Sequence, residues 1–206
     1  MSIQCDRHLV EIDLRSIPAY RFDVVVVGGG VAGDNAALSA AREGKSVAII
    51  TKSSLSNSNT NMAQGGMAAV MTEVDSFESH IQDTMNVGFG LCDEAVVRKV
   101  VTGGPESVRR LLAIGAKFDH THSGELDCSR EGGHSNARVI HANGDATGRE
   151  IQRVLTIAVR SHELIKTFPD TFAVDLVTAE GEAYGVLAKV PSGNFVLFSS
   201  SQIILA

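Results

Sequence analysis

A run of four valines followed by glycines is the clearest hydrophobic pattern in the chain. Val24–Val27 is short, apolar and β-branched, which predicts a strand buried on both faces. The run stops at Gly28, and Gly28, Gly30 and Gly33 have the G-x-G-x-x-G spacing of a strand-to-helix turn that binds a dinucleotide phosphate. The alanine-rich helix predicted next would present its first N–H groups to an anion. The alternative is a glycine-rich turn with only a packing role.

The pattern after this turn continues as an α/β chain. A second strand is predicted at Ser46–Ile50, and the residues that follow it are Thr51 and Lys52. Dinucleotide-binding folds often place an acidic residue there to hold a ribose hydroxyl. Lys52 would instead offer a cation near a phosphate or the ribose.

Capping residues and apolar periodicity predict the remaining elements. Helices are predicted from Asp75 to about Asn86, from Asp93 to about Thr102, from Pro105 to near Gly115, and from Ala146 to about Ser161. Strands are predicted at His8–Leu14, Thr171–Val177, Tyr184–Val190, Asn194–Ser199 and Gln202–Leu205.

The spacing of these elements suggests how the chain is divided. Residues 1–21 form a short N-terminal arm, and residues 22–206 form one domain. The long irregular stretch Lys117–Asp145 is typical of a segment that builds a site. The last residues fall within a predicted strand, so we expect the domain to be incomplete.

The composition and net charge of the chain exclude some classes of partner and some locations. The chain has 206 residues, of which 44% are hydrophobic, and a formal net charge of −6, which argues against nucleic acid or an acidic membrane surface as a partner. No apolar run approaches the ~18–20 residues of a membrane span, and the first twenty residues do not resemble a secretory signal. The three cysteines, Cys5, Cys92 and Cys128, lack disulfide or metal spacing. They indicate reduced thiols and a cytoplasmic location.

Histidines near Asp119 raise the question of a metal. His120 and His122 lie in a loop beside this carboxylate. Two candidate ligands of unknown geometry are poor evidence for a metal centre. We therefore expect no metal site.

Four motifs, taken in order, carry a resemblance to one family. They are DVVVVGGGVAG, NTNMAQGGMAAV, SREGGHSNARVIHANGDATGRE and QIILA. Together they resemble the flavoprotein subunits of fumarate reductase and succinate dehydrogenase, and within that family the L-aspartate oxidases, over nearly all residues from Phe22 onward. The resemblance implies a Rossmann-like FAD-binding domain with a central parallel sheet and a small β-meander. It also implies capping and C-terminal helical domains, which we expect beyond residue 206.

The same resemblance implies FAD as the cofactor and assigns its contacts. The Gly28–Gly33 turn would hold the pyrophosphate, and the turn residues closest to the pyrophosphate would be Gly29, Gly30, Val31 and Ala32. Lys52 would lie beside the nucleotide. The ribityl chain and the isoalloxazine ring would lie along Asn59, Thr60, Asn61, Met62, Ala63, Gln64, Gly65 and Gly66. Respiratory relatives carry at the position of Asn59 a histidine bonded to FAD, so Asn59 implies non-covalent FAD. Asp34 and Asn35 depart from the family's apolar pattern, and a carboxylate there competes with a phosphate.

Glu131 distinguishes between substrates within the family. Enzymes restricted to dicarboxylates tend to carry an apolar aromatic residue at this position, whereas aspartate oxidases carry glutamate. A buried carboxylate can pair with the ammonium group of aspartate, which fumarate and succinate lack. The alternative is a surface glutamate paired with Arg130 or Arg138.

Two histidines lie close to Glu131 in the sequence. His134 and His141 could contact flavin or substrate, and a structural hydrogen bond is an equal alternative for each. Of the two, His134 is the candidate substrate contact.

The implied reaction is oxidation of L-aspartate to iminoaspartate, with hydride transfer to flavin N5 and reoxidation by O₂ or fumarate. The product would feed quinolinate and then NAD synthesis, with quinolinate synthase as a candidate partner. The family's arginine base and carboxylate clamp lie in the capping domain, so no base is assigned. Two alternatives remain: a fumarate reductase or succinate dehydrogenase flavoprotein, which Glu131 and Asn59 argue against, and a non-catalytic FAD-binding fragment.

Overall fold

The computed structural model describes residues 9, 10 and 12–206, which form two compact units. Of these residues, those up to Asn59 form the first unit together with Leu155–Ala206, and Thr60–Val154 form the second. No helix in the described part of the chain is long and apolar enough to cross a membrane.

Strands and helices alternate along the described residues. The strands are β1 (Ala19–Arg21), β2 (Val24–Val27), β3 (Val47–Ile50), β4 (Met67–Ala68), β5 (Cys128–Ser129), β6 (Val139–Ile140), β7 (Ile165–Phe168), β8 (Phe172–Ala179), β9 (Glu182–Lys189), β10 (Phe195–Ser199) and β11 (Ile203–Leu205). The α-helices are α1 (Val31–Arg42), α2 (Asn59–Met62), α3 (Phe77–Val87), α4 (Glu94–Ala113) and α5 (Thr147–Ser161).

The first unit is built on a parallel sheet. Its strand order is β11-β2-β3-β7, and every neighbouring pair is parallel. α1 connects β2 to β3 and packs against both strands. Coverage on both faces explains why β2 and β3 are continuous apolar runs. The predicted α/β fold with a central parallel sheet is confirmed.

A second sheet packs in the same unit. Its order is β1-β10-β9-β8, where β8, β9 and β10 are consecutive antiparallel strands and β1 joins β10 in parallel. The core between the sheets includes Val25 and Ile50 from the parallel sheet and Val186, Ala188 and Phe198 from the second sheet. The predicted β-meander is therefore confirmed.

The second unit contains the helix pair α3 and α4 and a small sheet. α3 packs against α4, and the sheet has the antiparallel order β4-β6-β5. Register pairs Met67 with Ile140 and Ser129 with Val139. β5 and β6 thus lie inside the stretch that the sequence predicts to be irregular.

One helix replaces two predicted ones. α4 begins after its N-cap Asp93, as predicted, but continues through Pro105 to Ala113. A proline inside a helix lacks a donor and costs about 3 kcal/mol. Here the buried residues Val101, Pro105, Val108 and Leu111 form one apolar stripe, whose burial outweighs this cost.

Two smaller predictions also differ from the structure. The N-cap of α3 is Ser76, whose hydroxyl accepts the Ser79 N–H, and not Asp75, whose carboxylate binds Arg138. The predicted strand His8–Leu14 falls partly on His8 and Glu11, which lie outside the described residues. Its described residues form no strand, and Leu14 begins a 3₁₀ turn instead.

Candidate functional site

The glycine turn of the first unit has the geometry that its spacing predicts. Gly28 has a φ of +112°, and a Cβ added there would collide with the carbonyl oxygen of Ala206. A Cβ at Gly33 would collide with the carbonyl oxygen of Gly28. Gly28 is therefore required by its positive φ and by the nearby backbone of Ala206, and Gly33 by the close approach of α1 to the end of β2.

The turn also fits a phosphate. α1 begins at Val31, and its N-cap Gly30 makes no side-chain capping hydrogen bond. No cap side chain therefore covers the positive end of the helix dipole, which attracts anions. Lys52 is exposed directly after β3, where it can meet a negatively charged group. Asp34, the departure noted in the sequence, is fully buried in the first turn of α1.

The middle of the segment Thr60–Gly66 in the second unit is exposed, and both of its ends are half-buried. Met62 keeps 66% of its surface exposed. The carbonyl oxygen of Ala63 accepts the N–H of Gly148 at 3.0 Å, which ties the segment to the start of α5. A Cβ at Gly66 would lie 2.7 Å from Nε2 of His141 and 2.7 Å from the carbonyl oxygen of Ile140. Gly66 thus allows this segment to lie against β6 and His141.

Glu131 is bonded to a histidine. Its Oε1 lies 2.8 Å from Nε2 of His141, with the carboxylate side chain 49% exposed and the imidazole 19% exposed. Oε2 of Glu131 accepts no hydrogen bond from the residues that the structure describes. The alternative partner Arg138 binds other carboxylates, so the predicted surface pair with it is not formed.

Arg138 is buried between two aspartates. Its Nε and Nη2 donate to Asp75 at 2.7 Å each, and its Nη1 donates to Asp83 at 2.6 Å. These bonds raise the pKa of Arg138, most of all those to Asp75, against the lowering effect of burial. Burial would raise the pKa of Asp75, but the hydrogen bonds from Arg138 and Ser76 outweigh it and lower that pKa.

Asp83 is the second carboxylate that binds Arg138. Burial would raise its pKa, but hydrogen bonds from the N–H and hydroxyl of Ser135 and from Arg138 lower the pKa to about 2. Asn136 donates in turn to Asp75 at 2.9 Å. The loop from Glu131 to Arg138 is therefore held to two fixed carboxylates at its C-terminal end.

His134 lies in this network, and its backbone N–H donates to the carbonyl oxygen of Glu131 at 3.2 Å. Its Nδ1 is 3.4 Å from Nη1 of Arg138, and its ring centroid is 5.7 Å from that of His80. Because arginine only donates, Nδ1 of His134 is the acceptor. His80 is buried, and burial together with the charge of Arg138 lowers its pKa. The role of His134 in binding substrate stays a prediction.

Of the histidines near Asp119, His120 makes a structural hydrogen bond, and His122 is exposed. Nδ1 of His120 bonds the carbonyl oxygen of Phe118, and Asp119 accepts the N–H groups of Asn143 and Gly144. Among the residues described, no group of three His, Cys, Asp or Glu side chains could hold a metal ion.

The structure brings together some of the predicted site residues within each unit. In the second unit it joins Glu131, His141 and Gly66, whereas in the first it forms the Gly28–Gly33 turn. The anchoring role of Arg138 is not among the roles predicted from the sequence. The available signal was an arginine directly before the buried pair Val139–Ile140, because a charge beside a core strand needs partners.

These features define a dinucleotide-binding domain of the flavoprotein type. Residues 23–206 match the family described as FAD binding domain, so the chain belongs to this family and its cofactor is FAD. It is similar to the chloroplastic L-aspartate oxidase of Arabidopsis thaliana, at 52% identity over 190 residues, covering 90% of this chain and 29% of that protein. The L-aspartate oxidase of Streptomyces coelicolor is 49% identical over 169 residues, covering 82% of the chain and 29% of that protein.

A solved structure shows the same fold. A chain of quinol fumarate reductase from E. coli has a TM-score of 0.88 and 30% identity, covering 92% of this chain and 33% of that one. The chain thus spans about a third or less of the length of these relatives.

Proposed function

We propose that the protein oxidises L-aspartate to iminoaspartate as an FAD-dependent oxidoreductase. When bound, FAD would supply the redox chemistry, as the acceptor at N5 of a hydride from the substrate α-carbon, with O₂ or fumarate as the final electron acceptor. The product would enter quinolinate and NAD synthesis, with quinolinate synthase as a candidate partner and a cytoplasmic location. The names of the relatives support the reaction, and the chain's own residues support the substrate.

The assignment of L-aspartate as the substrate rests on Glu131. Its Oε1 is bonded to His141, and the exposed carboxylate keeps Oε2 available for a cation. A charge-assisted hydrogen bond from an ammonium group suits this oxygen. Aspartate has that group, whereas succinate and fumarate have only carboxylates, which Glu131 would repel.

The first unit supports the cofactor assignment independently. The Gly28–Gly33 turn and the uncapped start of α1 would hold the pyrophosphate, with Lys52 as a nearby cation. The contact of Asn59–Gly66 with the flavin stays a prediction from the resemblance.

A direct assay tests the reaction. The protein, expressed at the length of its relatives and saturated with FAD, is expected to form peroxide from L-aspartate in air. Succinate, at the same concentration, should give no more than background. The fold shared with fumarate reductase supports the alternative reaction, so turnover of succinate without turnover of aspartate would overturn the proposal.

A second expected property is reversible FAD binding. Asn59 has an amide nitrogen that does not form the bond to flavin made by a histidine, so acid precipitation should release all the yellow colour into the supernatant. The absorbance of the supernatant and of the pellet measures this release. Flavin that remains on the washed, denatured protein would contradict non-covalent binding.

A further inference from the structure

His141 has a contact that the proposed chemistry does not explain by itself. It follows β6, and its Nε2 lies 2.8 Å from Oε1 of Glu131, which follows β5. Ionised carboxylates only accept hydrogen bonds, so in this pair Nε2–H of His141 donates. The bond joins residues ten positions apart across a glycine-containing loop.

His141 is the fixed member of this pair. Its carbonyl oxygen accepts the Asp119 N–H at 2.8 Å, and its Nε2 lies 2.7 Å from the position that a Cβ of residue 66 would take. Its side chain is 19% exposed, whereas that of Glu131 is 49% exposed. The backbone after His141 is also held, since Asp119 accepts the N–H groups of Asn143 and Gly144.

We infer that His141 is a positioning residue for Glu131: by donating Nε2–H to Oε1, it holds the carboxylate so that Oε2 receives the ammonium group of the substrate. The inference rests on the proposed function and deepens it. An exposed glutamate side chain samples many rotamers, and fixing it before binding removes an entropic cost. His141 therefore contributes to preference for an amino dicarboxylate without touching the substrate.

Two amide substitutions of His141 test whether the side chain must place a hydrogen-bond donor at Glu131 or need only be polar. Gln places its amide N–H near the position of Nε2 of histidine, whereas the amide of Asn falls short of Glu131. His141→Asn is expected to lower kcat/KM for aspartate about tenfold, and His141→Gln to stay within about threefold of the wild type. Reduction of fumarate by an artificial electron donor, which takes the place of aspartate, should change by less than about twofold in both variants. His122→Asn, at an exposed loop histidine, is the matched control and should leave both activities unchanged.

A double-mutant cycle tests whether His141 acts through Glu131. If it does, His141→Asn should cause little further loss in a Glu131→Gln background, because contacting residues are not additive. The Kd of aspartate, read from the change in flavin absorbance, should rise with His141→Asn and not with His141→Gln. These readouts separate positioning from a general effect on folding.

The failures of the two proposals are distinguishable. A wild-type protein that does not oxidise aspartate overturns the proposed function. Active wild type together with equal losses for aspartate and fumarate, or full additivity with Glu131→Gln, overturns the role of His141. One outcome needs a further measurement: His141→Asn loses FAD, whereas His141→Gln keeps both FAD and the preference for aspartate. The Kd of aspartate is then measured for His141→Asn saturated with FAD. A Kd equal to that of the wild type overturns the inference.

Discussion

The charge on Glu131 is the residue-scale feature with the most direct consequence. Glu131→Gln keeps the size of the side chain and removes the charge that would pair with the substrate ammonium. A charged hydrogen bond is worth roughly 1.5–3 kcal/mol, so kcat/KM for aspartate is expected to fall about ten- to hundredfold. Fumarate has no ammonium group, and its reduction should be unchanged or improved.

Both reactions are to be measured on one FAD-saturated preparation of the variant. The comparison works because folding and flavin retention affect the two reactions equally. An equal loss of activity in both reactions would mean that Glu131 has only a structural role.

Two adjacent glycines provide a matched test of close packing. Gly66→Ala would press a Cβ against Val139, His141 and the carbonyl oxygen of Ile140, whereas Gly65→Ala would meet no atom within 4 Å. Overpacking of this kind typically costs about 1–3 kcal/mol, against less than about 0.5 kcal/mol at an open site. Urea unfolding measures both free energies. Equal effects would show that Gly66 is not required by its neighbours.

At the scale of elements, one glycine inside α4 and one just beyond its end allow a comparison of two backbone conformations. Gly103 lies in the helix interior and Gly115 follows its C-terminus with a φ of +92°, and a Cβ at either would meet nothing within 4 Å. Gly103→Ala should stabilise the protein by about 0.5–1 kcal/mol, because alanine loses less backbone entropy. Gly115→Ala should destabilise it by about 1–2 kcal/mol, because the left-handed region disfavours a Cβ.

The free energies of unfolding of both variants, measured in urea against the wild type, check this expectation. Stabilisation at both positions would mean that the turn after α4 adapts to alanine. A loss at Gly103 would mean that α4 is interrupted before Pro105, as the sequence pattern predicts.

Local pattern predicted most of the elements but not their long-range contacts. The valine run, the glycine spacing and the cap at Asp93 act through neighbouring residues, so β2, α1 and the start of α4 could be predicted. The path of α4 through Pro105 depends on burial of its apolar stripe, which no local signal shows. Glu131 could be identified from its motif, whereas its bond to His141 depends on how the loop after β5 folds back.

At the scale of the whole molecule, buried charge links stability to pH. The pKa of Asp83 is lowered to about 2 from an ordinary value of 3.8, so the folded state favours the ionised form. This contribution is complete above the unfolded-state value and is lost as the pH falls toward 2. It amounts to about 2 kcal/mol at 1.36 kcal/mol per unit, and the lowered pKa of Asp75 acts in the same direction.

Asp83→Asn is therefore expected to lower the free energy of unfolding at neutral pH and to flatten its decline between about pH 5 and pH 2. Urea unfolding at a series of pH values measures this slope. Asp13→Asn is the control, since its pair with Arg15 is exposed and should contribute little. A slope for Asp83→Asn identical to that of the wild type would exclude the Asp83 contribution.

The arrangement of the first unit has a consequence for synthesis on the ribosome. β2 pairs with β11, so Val25 meets Ile203 only after about 180 further residues have been translated. At ~5–20 residues per second, that interval lasts about 10 to 35 s. Residues 60–154 form their unit from one uninterrupted stretch of chain and emerge in the meantime. The nascent protein should therefore acquire protease resistance in this inner stretch before the glycine turn closes, and ribosome-bound chains stalled at successive lengths would display that order.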